Sequence, residues 1–195
     1  MARKAKIVRK TTETDIALDI DLDKSAGSKI DTTIPFLNHM LDLFVRHGQF
    51  KLVVKSKGDT EIDDHHLVED LGICLGQALG EALGDKTGIH RYGSASVPMD
   101  ECLCRVDIDI SGRPYLIYKV RYERRKIGGF DPALVKEFFK AFTDNSGVTL
   151  HINLVYGSNS HHIIESVFKA FARALRQAVT INPEISGVLS TKGTL

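Results

Sequence analysis

The sequence predicts an internally duplicated α/β fold, and three observations support this prediction. The pattern His-His-x-x-Glu occurs at positions 65–69 and again at 161–165. A stretch of eleven residues bounded by glycines precedes each copy, at 48–58 and 147–157. The small residues that follow the two motifs also match in register. Two copies of about ninety residues indicate a duplicated domain, because a solenoid needs three or more units.

The elements are predicted in the same order in each half. Alternating polar and apolar residues at 19–22 and 107–110 are typical of a strand with one buried face. Helical stretches follow at 37–45 and 134–142. The glycine-bounded segment is typical of a strand between turns, and the motif opens an alanine- and leucine-rich helix. The order strand, strand, helix, strand, motif helix therefore occurs twice.

Length and composition agree with this organisation. The chain has 195 residues, 43% of them hydrophobic, which suffices for one core or for two half-cores packed together. We therefore predict a single domain over residues 1–195, with halves at approximately 1–93 and 94–195.

Composition also argues against several classes of protein. A net charge of +1 offers little attraction for nucleic acid or an anionic membrane, and tryptophan is absent. Three cysteines, Cys74, Cys102 and Cys104, are too few for a disulfide framework and favour a reducing compartment. No stretch approaches the roughly 20 apolar residues of a membrane span, and the N-terminus does not resemble a signal peptide. We expect a soluble, cytoplasmic protein without nucleic-acid or membrane partners.

The repeated motif is predicted to bind metal. Within each copy, the first histidine and the glutamate share a helix face, whereas the second histidine lies roughly 100° further round. Adjacent histidines that diverge so far cannot easily chelate one ion, so each motif should supply ligands to two ions. Neutral imidazole with carboxylate suits manganese, iron or zinc. The candidate ligands are His65, His66, Glu69, His161, His162 and Glu165.

Small residues on the motif helices predict close packing. They recur at every fourth position, as Gly72, Gly76, Gly80 and Gly84 in the first helix and Ala170, Ala174 and Ala178 in the second. Each glycine costs roughly 1 kcal/mol relative to alanine within a helix, so a closely approaching helix is expected to compensate. The two motif helices are candidates to pack tightly against each other about a pseudo-two-fold axis.

A second group of residues suits a phosphorylated small molecule. Arg91 follows a glycine-containing turn, and Arg113 lies at the end of a predicted strand. Lys169 is four residues beyond Glu165 and so shares the ligand-bearing face of its helix. The C-terminal segment 190–193 adds hydroxyls, an ammonium and backbone N–H groups. Arginine, lysine and hydroxyls together are typical of a site for a phosphate dianion.

Six segments, taken together and in order, resemble the imidazoleglycerol-phosphate dehydratase family of histidine biosynthesis. They cover residues 36–41, 64–70, 98–101, 111–114, 159–165 and 190–193. The resemblance implies a lyase with a single catalytic domain, in which a four-helix layer lies between two four-stranded mixed sheets (ribosomal protein S5 domain 2-like). It also implies two Mn²⁺ ions per active site at subunit interfaces, and an octahedral homo-oligomer of twenty-four subunits built from trimers.

The resemblance implies roles for individual residues. The implied metal ligands are His39, His65, His66, Glu69, His161, His162 and Glu165. The implied substrate contacts are Glu13, His39, Arg91, Arg113, Lys169, Thr191 and Lys192. Glu137 departs from the family pattern, because many members have a histidine there. Two interpretations of Glu137 stay open: it replaces imidazole as a metal ligand, or it forms a salt bridge.

The implied reaction converts imidazoleglycerol phosphate into imidazole acetol phosphate by loss of water. The proton that is lost lies beside a hydroxyl rather than a carbonyl, so its acidity is very low. Metal ions on the ring nitrogens can stabilise an imidazolate, which expels the adjacent hydroxyl through a diazafulvene-like intermediate. A base then removes the neighbouring proton to yield an enol, which tautomerises. The candidate catalytic bases are Glu13, Glu69 and Glu165, with Asp100 as a further candidate.

Two other functions stay open from the sequence alone. A dinuclear metal-dependent phosphohydrolase would share the histidines, carboxylates and arginines, although such sites usually rely on several aspartates. A metal-storage or metal-sensing protein would need no convergence of Arg91, Arg113 and Lys169.

Overall fold

The computed structural model describes residues 2–123 and 126–195, which form the same series of elements twice. The first half contains β1 (Lys4–Lys10), β2 (Thr14–Asp21), β3 (Lys29–Asp31), α1 (Pro35–Gly48), β4 (Lys51–Gly58) and α2 (His65–Leu83). The second half contains β5 (Tyr92–Met99), β6 (Cys102–Asp109), β7 (Tyr115–Lys119), α3 (Leu134–Ser146), β8 (Thr149–Tyr156) and α4 (Ser160–Val179). The predicted elements occur in the predicted order in each half, but the prediction lacked one strand, because three strands rather than two precede the first helix. The short strands β3 and β7 lie directly before that helix.

Each half builds a four-stranded mixed sheet. The strand order is β1-β2-β4-β3 in the first sheet and β5-β6-β8-β7 in the second. β2 pairs antiparallel with β1 and β4, whereas β3 pairs parallel with β4. The parallel pair requires a crossover connection, which α1 provides between β3 and β4. The identical order in the second half confirms the predicted duplicated α/β fold.

The alternating sequence of β2 decides which face of its sheet is covered. Ile16, Leu18 and Ile20 are buried, while the residues between them are partly or fully exposed. Burial alternates in the same way along β6. Because successive side chains of a strand point to opposite faces, each sheet has one apolar face, and α2 and α4 pack there. The helices of the described residues therefore form a layer between the two sheets.

Contacts between the two halves hold the helix layer together. α2 packs chiefly on α3, and α1 packs chiefly on α4. A Cβ at Gly72 would lie 2.4 Å from the carbonyl oxygen of Phe138, and one at Gly76 would lie 2.5 Å from that of Phe142. The glycines therefore admit a closely packed helix, as expected, but the expected partner was wrong. The helix that packs against these glycines is α3, because each motif helix covers its own sheet and contacts the non-motif helix of the other half.

Phenylalanines fill the centre of the helix layer. The ring of Phe171 on α4 lies 5.1 Å from both Phe139 and Phe142 on α3, and 5.6 Å from Phe44 on α1, measured between centroids. All four side chains are buried. Aromatic pairs at these distances have preferred relative orientations, so the rings help to fix the helices against one another. The N-terminal turns of α1 and α4 are thereby held side by side.

No cysteine belongs to either group of described side chains that could hold a metal ion. Cys74, Cys102 and Cys104 are buried free thiols. Burial raises the pKa of Cys104 to about 12, so its thiol is protonated at neutral pH and is a poor metal ligand. Within the described ranges, no helix has both the length and the apolar character needed to cross a membrane.

Candidate functional site

The first candidate metal centre lies where α1 meets α4. Glu165 Oε1 is 3.0 Å from His161 Nε2, one helical turn away on α4, and 3.1 Å from His39 Nε2 on α1. Each of these three side chains can offer a ligand atom within 4.8 Å of the others. The Glu165 side chain is 10% exposed, whereas those of His39 and His161 are 45% and 40% exposed. The cluster is thus anchored in the helix layer and open on its outer side.

The charge of Glu165 is set by its neighbours. Burial would raise the pKa of Glu165, but hydrogen bonds from Lys169, His39 and His161 outweigh burial and lower this pKa to about 2. Lys169 Nζ donates to Glu165 Oε2 over 2.6 Å and also lies 3.1 Å from Met99 Sδ. The carboxylate is therefore ionised at neutral pH, which is the form that binds a cation.

The second candidate metal centre surrounds His66 at the start of α2. His66 Nδ1 lies 3.0 Å from Asp59 Oδ2 and 3.9 Å from Glu13 Oε2, and these three side chains form another group that could hold a cation. The hydrogen bond with Asp59 raises the pKa of His66. Nearby, His65 Nε2 lies 3.7 Å from Glu69 Oε2, so the predicted sharing of one helix face is confirmed.

His162 is held by a carboxylate that sequence reasoning did not assign to the site. His162 Nδ1 lies 2.8 Å from Glu101 Oε2, and this hydrogen bond raises the pKa of His162. The other oxygen of Glu101 accepts a hydrogen bond from the backbone N–H of Asn159 over 2.8 Å. Glu101 lies in the segment 98–101 that carries the family resemblance, which marked its position but not its role. Asp59 was missed as well, and its place directly after β4 was the available signal.

A cavity of about 1190 Å³ brings together four of the predicted phosphate ligands, Arg91, Arg113, Thr191 and Lys192. Arg91 Nε and Nη2 donate to Asp109 over 2.7 and 3.1 Å, and Nη1 donates to a backbone carbonyl of the C-terminal segment over 2.7 Å. The Arg113 side chain is 65% exposed and lies 3.8 Å from Asp109. Arg113 therefore keeps most of its donors for a ligand, whereas Arg91 secures the C-terminal segment.

Two predicted site residues do not line the cavity that contains Arg91 and Arg113 within one chain. Lys169 contacts Glu165 and is not among the described residues that line the arginine cavity. Glu137 is half-buried on α3 and belongs to neither group of described side chains that could hold a metal. Its role as a metal ligand stays a prediction.

A family model of imidazoleglycerol-phosphate dehydratase (IGPD) matches residues 32–175. The chain belongs to the IGPD family. The imidazoleglycerol-phosphate dehydratase of Syntrophus aciditrophicus is 62% identical over 194 residues, which cover 99% of this chain and 98% of that protein. The one from Geobacter metallireducens is 59% identical over 195 residues, which cover all of both chains.

Solved structures of IGPD enzymes share this fold. The crystal structure of imidazoleglycerol-phosphate dehydratase from Staphylococcus aureus has a TM-score of 0.84 at 44% identity, covering 92% of this chain and 99% of that one. IGPD from Pyrococcus furiosus has a TM-score of 0.84 at 37% identity, covering 97% and 100%. The predicted family resemblance is confirmed, and the chain is a hydro-lyase of the IGPD family.

Proposed function

We propose that this chain converts imidazoleglycerol phosphate into imidazole acetol phosphate, a step of L-histidine biosynthesis, at a dinuclear manganese site. The observation that carries the proposal is the convergence of His39, His161 and Glu165 at the junction of α1 and α4. In a chain of the IGPD family, this cluster provides the donors that a metal-assisted loss of water requires.

The donors of this cluster fit manganese. Two imidazole nitrogens and one ionised carboxylate match the ligand types that Mn²⁺ accepts, and their ligand atoms lie within 4.8 Å of one another. We therefore assign His39, His161 and Glu165 to one ion. Bound Mn²⁺ would supply Lewis-acid stabilisation of negative charge on the imidazole ring of the substrate.

One chain supplies part of the proposed dinuclear site. Residues His39, His161 and Glu165 are called the His39 cluster below. Among the described side chains, the motif residues of α2 do not belong to this cluster. Large apolar side chains near the motifs are exposed, namely Ile62 before α2 and Val155 and Tyr156 at the end of β8. Exposed apolar groups of this kind are typical of protein–protein contacts when they form a patch. We propose that neighbouring subunits combine the two motifs, in a shell of twenty-four subunits built from trimers.

Among the three glutamates that are candidate bases, we propose Glu13 as the residue that accepts the substrate proton. Glu165 is engaged by three donors and has a pKa of about 2, which makes it a poor proton acceptor. Glu69 lies 3.7 Å from His65 and is assigned to metal binding. Glu13 lies in the turn between β1 and β2, its side chain is 53% exposed, and its carboxylate is 3.9 Å from His66. This carboxylate is therefore available to a substrate.

The phosphate group of the substrate is assigned to the arginine cavity. Arg113, Thr191 and Lys192 would bind it there, while Arg91 keeps the C-terminal segment in place. Lys169 would add its charge to the site from a neighbouring subunit. Binding energy from a phosphate remote from the reacting atoms can orient the imidazole ring and so raise the rate.

The phosphohydrolase alternative is less well supported than the dehydratase. The His39 cluster contains two imidazoles and one carboxylate, whereas dinuclear hydrolases usually rely on several aspartates. We also propose a cytoplasmic location, because the three cysteines are free thiols, as expected in a reducing compartment.

One assay separates the dehydratase, the hydrolase and a metal-storage protein. The protein is incubated with Mn²⁺ and imidazoleglycerol phosphate. A dehydratase yields a keto product that absorbs in alkali, a hydrolase releases phosphate, and a storage protein does neither. His39→Ala should abolish the keto product, whereas His151→Ala, which removes an exposed histidine on β8, should not. A keto product formed by His39→Ala at the wild-type rate would contradict the assignment of the cluster.

A further inference from the structure

The second histidine of the His-His-x-x-Glu motif is His66 in the first half and His162 in the second. The two halves hold this histidine differently. Each half has a glutamate directly before its second strand, Glu13 before β2 and Glu101 before β6. Glu101 Oε2 lies 2.8 Å from His162 Nδ1, within hydrogen-bonding distance. Glu13 Oε2 lies 3.9 Å from His66 Nδ1, beyond that distance. Equivalent glutamates therefore make different contacts.

Asp59 accounts for this difference. It directly follows β4, its carboxylate is 3.0 Å from His66 Nδ1, and its backbone N–H donates to the carbonyl of Glu13 over 3.1 Å. The corresponding residue of the second half, directly after Gly157, is Ser158, which has no carboxylate. His162 is therefore held by Glu101, with Asp100 Oδ2 farther away at 3.8 Å, whereas His66 is held by Asp59.

We propose that Asp59 and Glu101 are positioning residues for the metal site. Each holds the second motif histidine of its half with the proton on Nδ1, so that Nε2 is offered to the metal. A metal-ligating histidine commonly donates its other ring N–H to a carboxylate, which fixes both its tautomer and its orientation. By holding His66, Asp59 also leaves Glu13 free to accept the substrate proton. This separation of the roles of Asp59 and Glu13 rests on the proposed function. The tautomers of the two histidines can be measured independently of that function.

The test must separate positioning from a purely structural role. Glu101 also accepts a hydrogen bond from the backbone N–H of Asn159, the N-cap residue of α4. Loss of Glu101 can therefore loosen the start of the helix and reduce activity for that reason alone. The position of the proton on each histidine ring is a readout that a loosened helix does not reproduce.

Asp59→Asn and Glu101→Gln keep the size of each side chain and remove its charge. Nitrogen-15 NMR of the histidine rings in the metal-free protein reports the protonated nitrogen, and the electron paramagnetic resonance signal of free Mn²⁺ reports affinity. Each variant should lose one Nδ1–H signature and bind Mn²⁺ about 10- to 100-fold more weakly. Glu61→Gln, an exposed carboxylate on the same loop as Asp59, is the control and should change neither. Unchanged histidine tautomers and unchanged Mn²⁺ affinity in both variants would overturn the proposal. Loss of a bound ion at saturating Mn²⁺ would also overturn it, because that loss indicates that the carboxylate is a direct metal ligand.

A double-mutant cycle tests whether Asp59, by holding His66, leaves Glu13 without a role in holding that histidine. Glu13→Gln alone should reduce dehydration while leaving Mn²⁺ affinity within about twofold. Asp59→Ser copies the residue of the second half, so Glu13 becomes the neighbouring carboxylate that can hold His66. In that background, Glu13→Gln should weaken Mn²⁺ binding by about a further tenfold. If the effects of Glu13→Gln and Asp59→Ser on Mn²⁺ affinity are additive, the proposed separation of the roles of Asp59 and Glu13 is wrong. If the wild type binds Mn²⁺ as expected but does not dehydrate the substrate, the proposed function fails and the positioning role stands.

Discussion

His39 in the first half of the chain contacts Glu165 in the second half, with 3.1 Å between Nε2 and Oε1. The two residues are 126 positions apart and meet because α1 packs against α4. The His39 cluster therefore forms only when the two halves are joined. This contact is a structural reason to expect that function requires the duplicated domain rather than one half.

Removing the metal should dissociate the proposed assembly into a smaller unit. Ions held by ligands from two subunits bind only to the assembled state, so they stabilise it by mass action. Light scattering with and without a chelator measures the change in particle size. Adding back Mn²⁺ should restore the large particle, whereas Mg²⁺ at the same concentration should not, because it disfavours imidazole ligands. A large particle that persists without metal would show that packing alone holds the shell.

His65→Ala and His162→Ala should each abolish turnover while the chain stays folded. Both side chains lie at the exposed N-terminal turns of motif helices, so they contribute more to metal binding than to the core. Activity, manganese content and circular dichroism of each variant are compared with those of His151→Ala. Unfolding that accompanies the loss of activity would point to structural histidines instead.

Arg113→Ala should lower kcat/KM by about tenfold to a hundredfold, because charge-assisted hydrogen bonds are worth roughly 1.5–3 kcal/mol each. Arg113→Lys keeps the charge but loses bidentate hydrogen bonding to the phosphate, so its kcat/KM should also be lower. Lys169→Met should weaken substrate binding at saturating Mn²⁺, a condition that is needed because Lys169 also donates to the proposed metal ligand Glu165. Lys55→Met on β4 is an exposed control. Normal kinetics for both Arg113→Ala and Lys169→Met would refute the phosphate assignment without affecting the metal assignment.

Gly76→Ala should lower the free energy of unfolding by about 1–3 kcal/mol, because the new Cβ would lie 2.5 Å from the carbonyl oxygen of Phe142. Gly80→Ala is the matched control on the same helix, since no neighbouring atom of the described residues lies within 4 Å of its Cβ position. That change should be neutral or stabilising by up to about 1 kcal/mol. Denaturant unfolding of the metal-free protein measures both. Equal effects would contradict the close packing of α2 on α3.

Asp23 should contribute stability that disappears in acid. Hydrogen bonds from Arg3, one of them 3.1 Å long, lower the pKa of Asp23 below its ordinary value of 3.8. The contribution is therefore fully present above that value and is lost as the pH falls through the lower pKa of the folded state. Asp23→Asn should reduce the unfolding free energy at neutral pH by less than about 1 kcal/mol, because the carboxylate is half exposed. Urea unfolding over a pH series should show the two proteins converging in acid, and a constant difference would exclude this linkage.

The amino-acid sequence was sufficient to predict the duplicated fold, the strand faces and the motif helices, because these features are local or repeated and spacing reveals them. The family was predicted from the resemblance of six segments instead. The four-residue interval between His161 and Glu165 predicts a shared helix face, and their ligand atoms are 3.0 Å apart in the structure. Alternation at residues 19–22 likewise predicted the burial of Ile20 and Leu22.

Which of these elements contact each other could not be predicted from local patterns and is seen in the folded chain. Glycine spacing on α2 predicts a close neighbour but cannot choose between α3 and α4, because both offer an apolar face. The pairing of His162 with Glu101 spans 61 positions and depends on where the β5–β6 turn lies relative to α4. Lys169 shares the face of Glu165 as predicted, yet the fold places it at the candidate metal centre rather than in the arginine cavity. Contacts between distant residues depend on the packing of the whole helix layer, which local spacing does not encode.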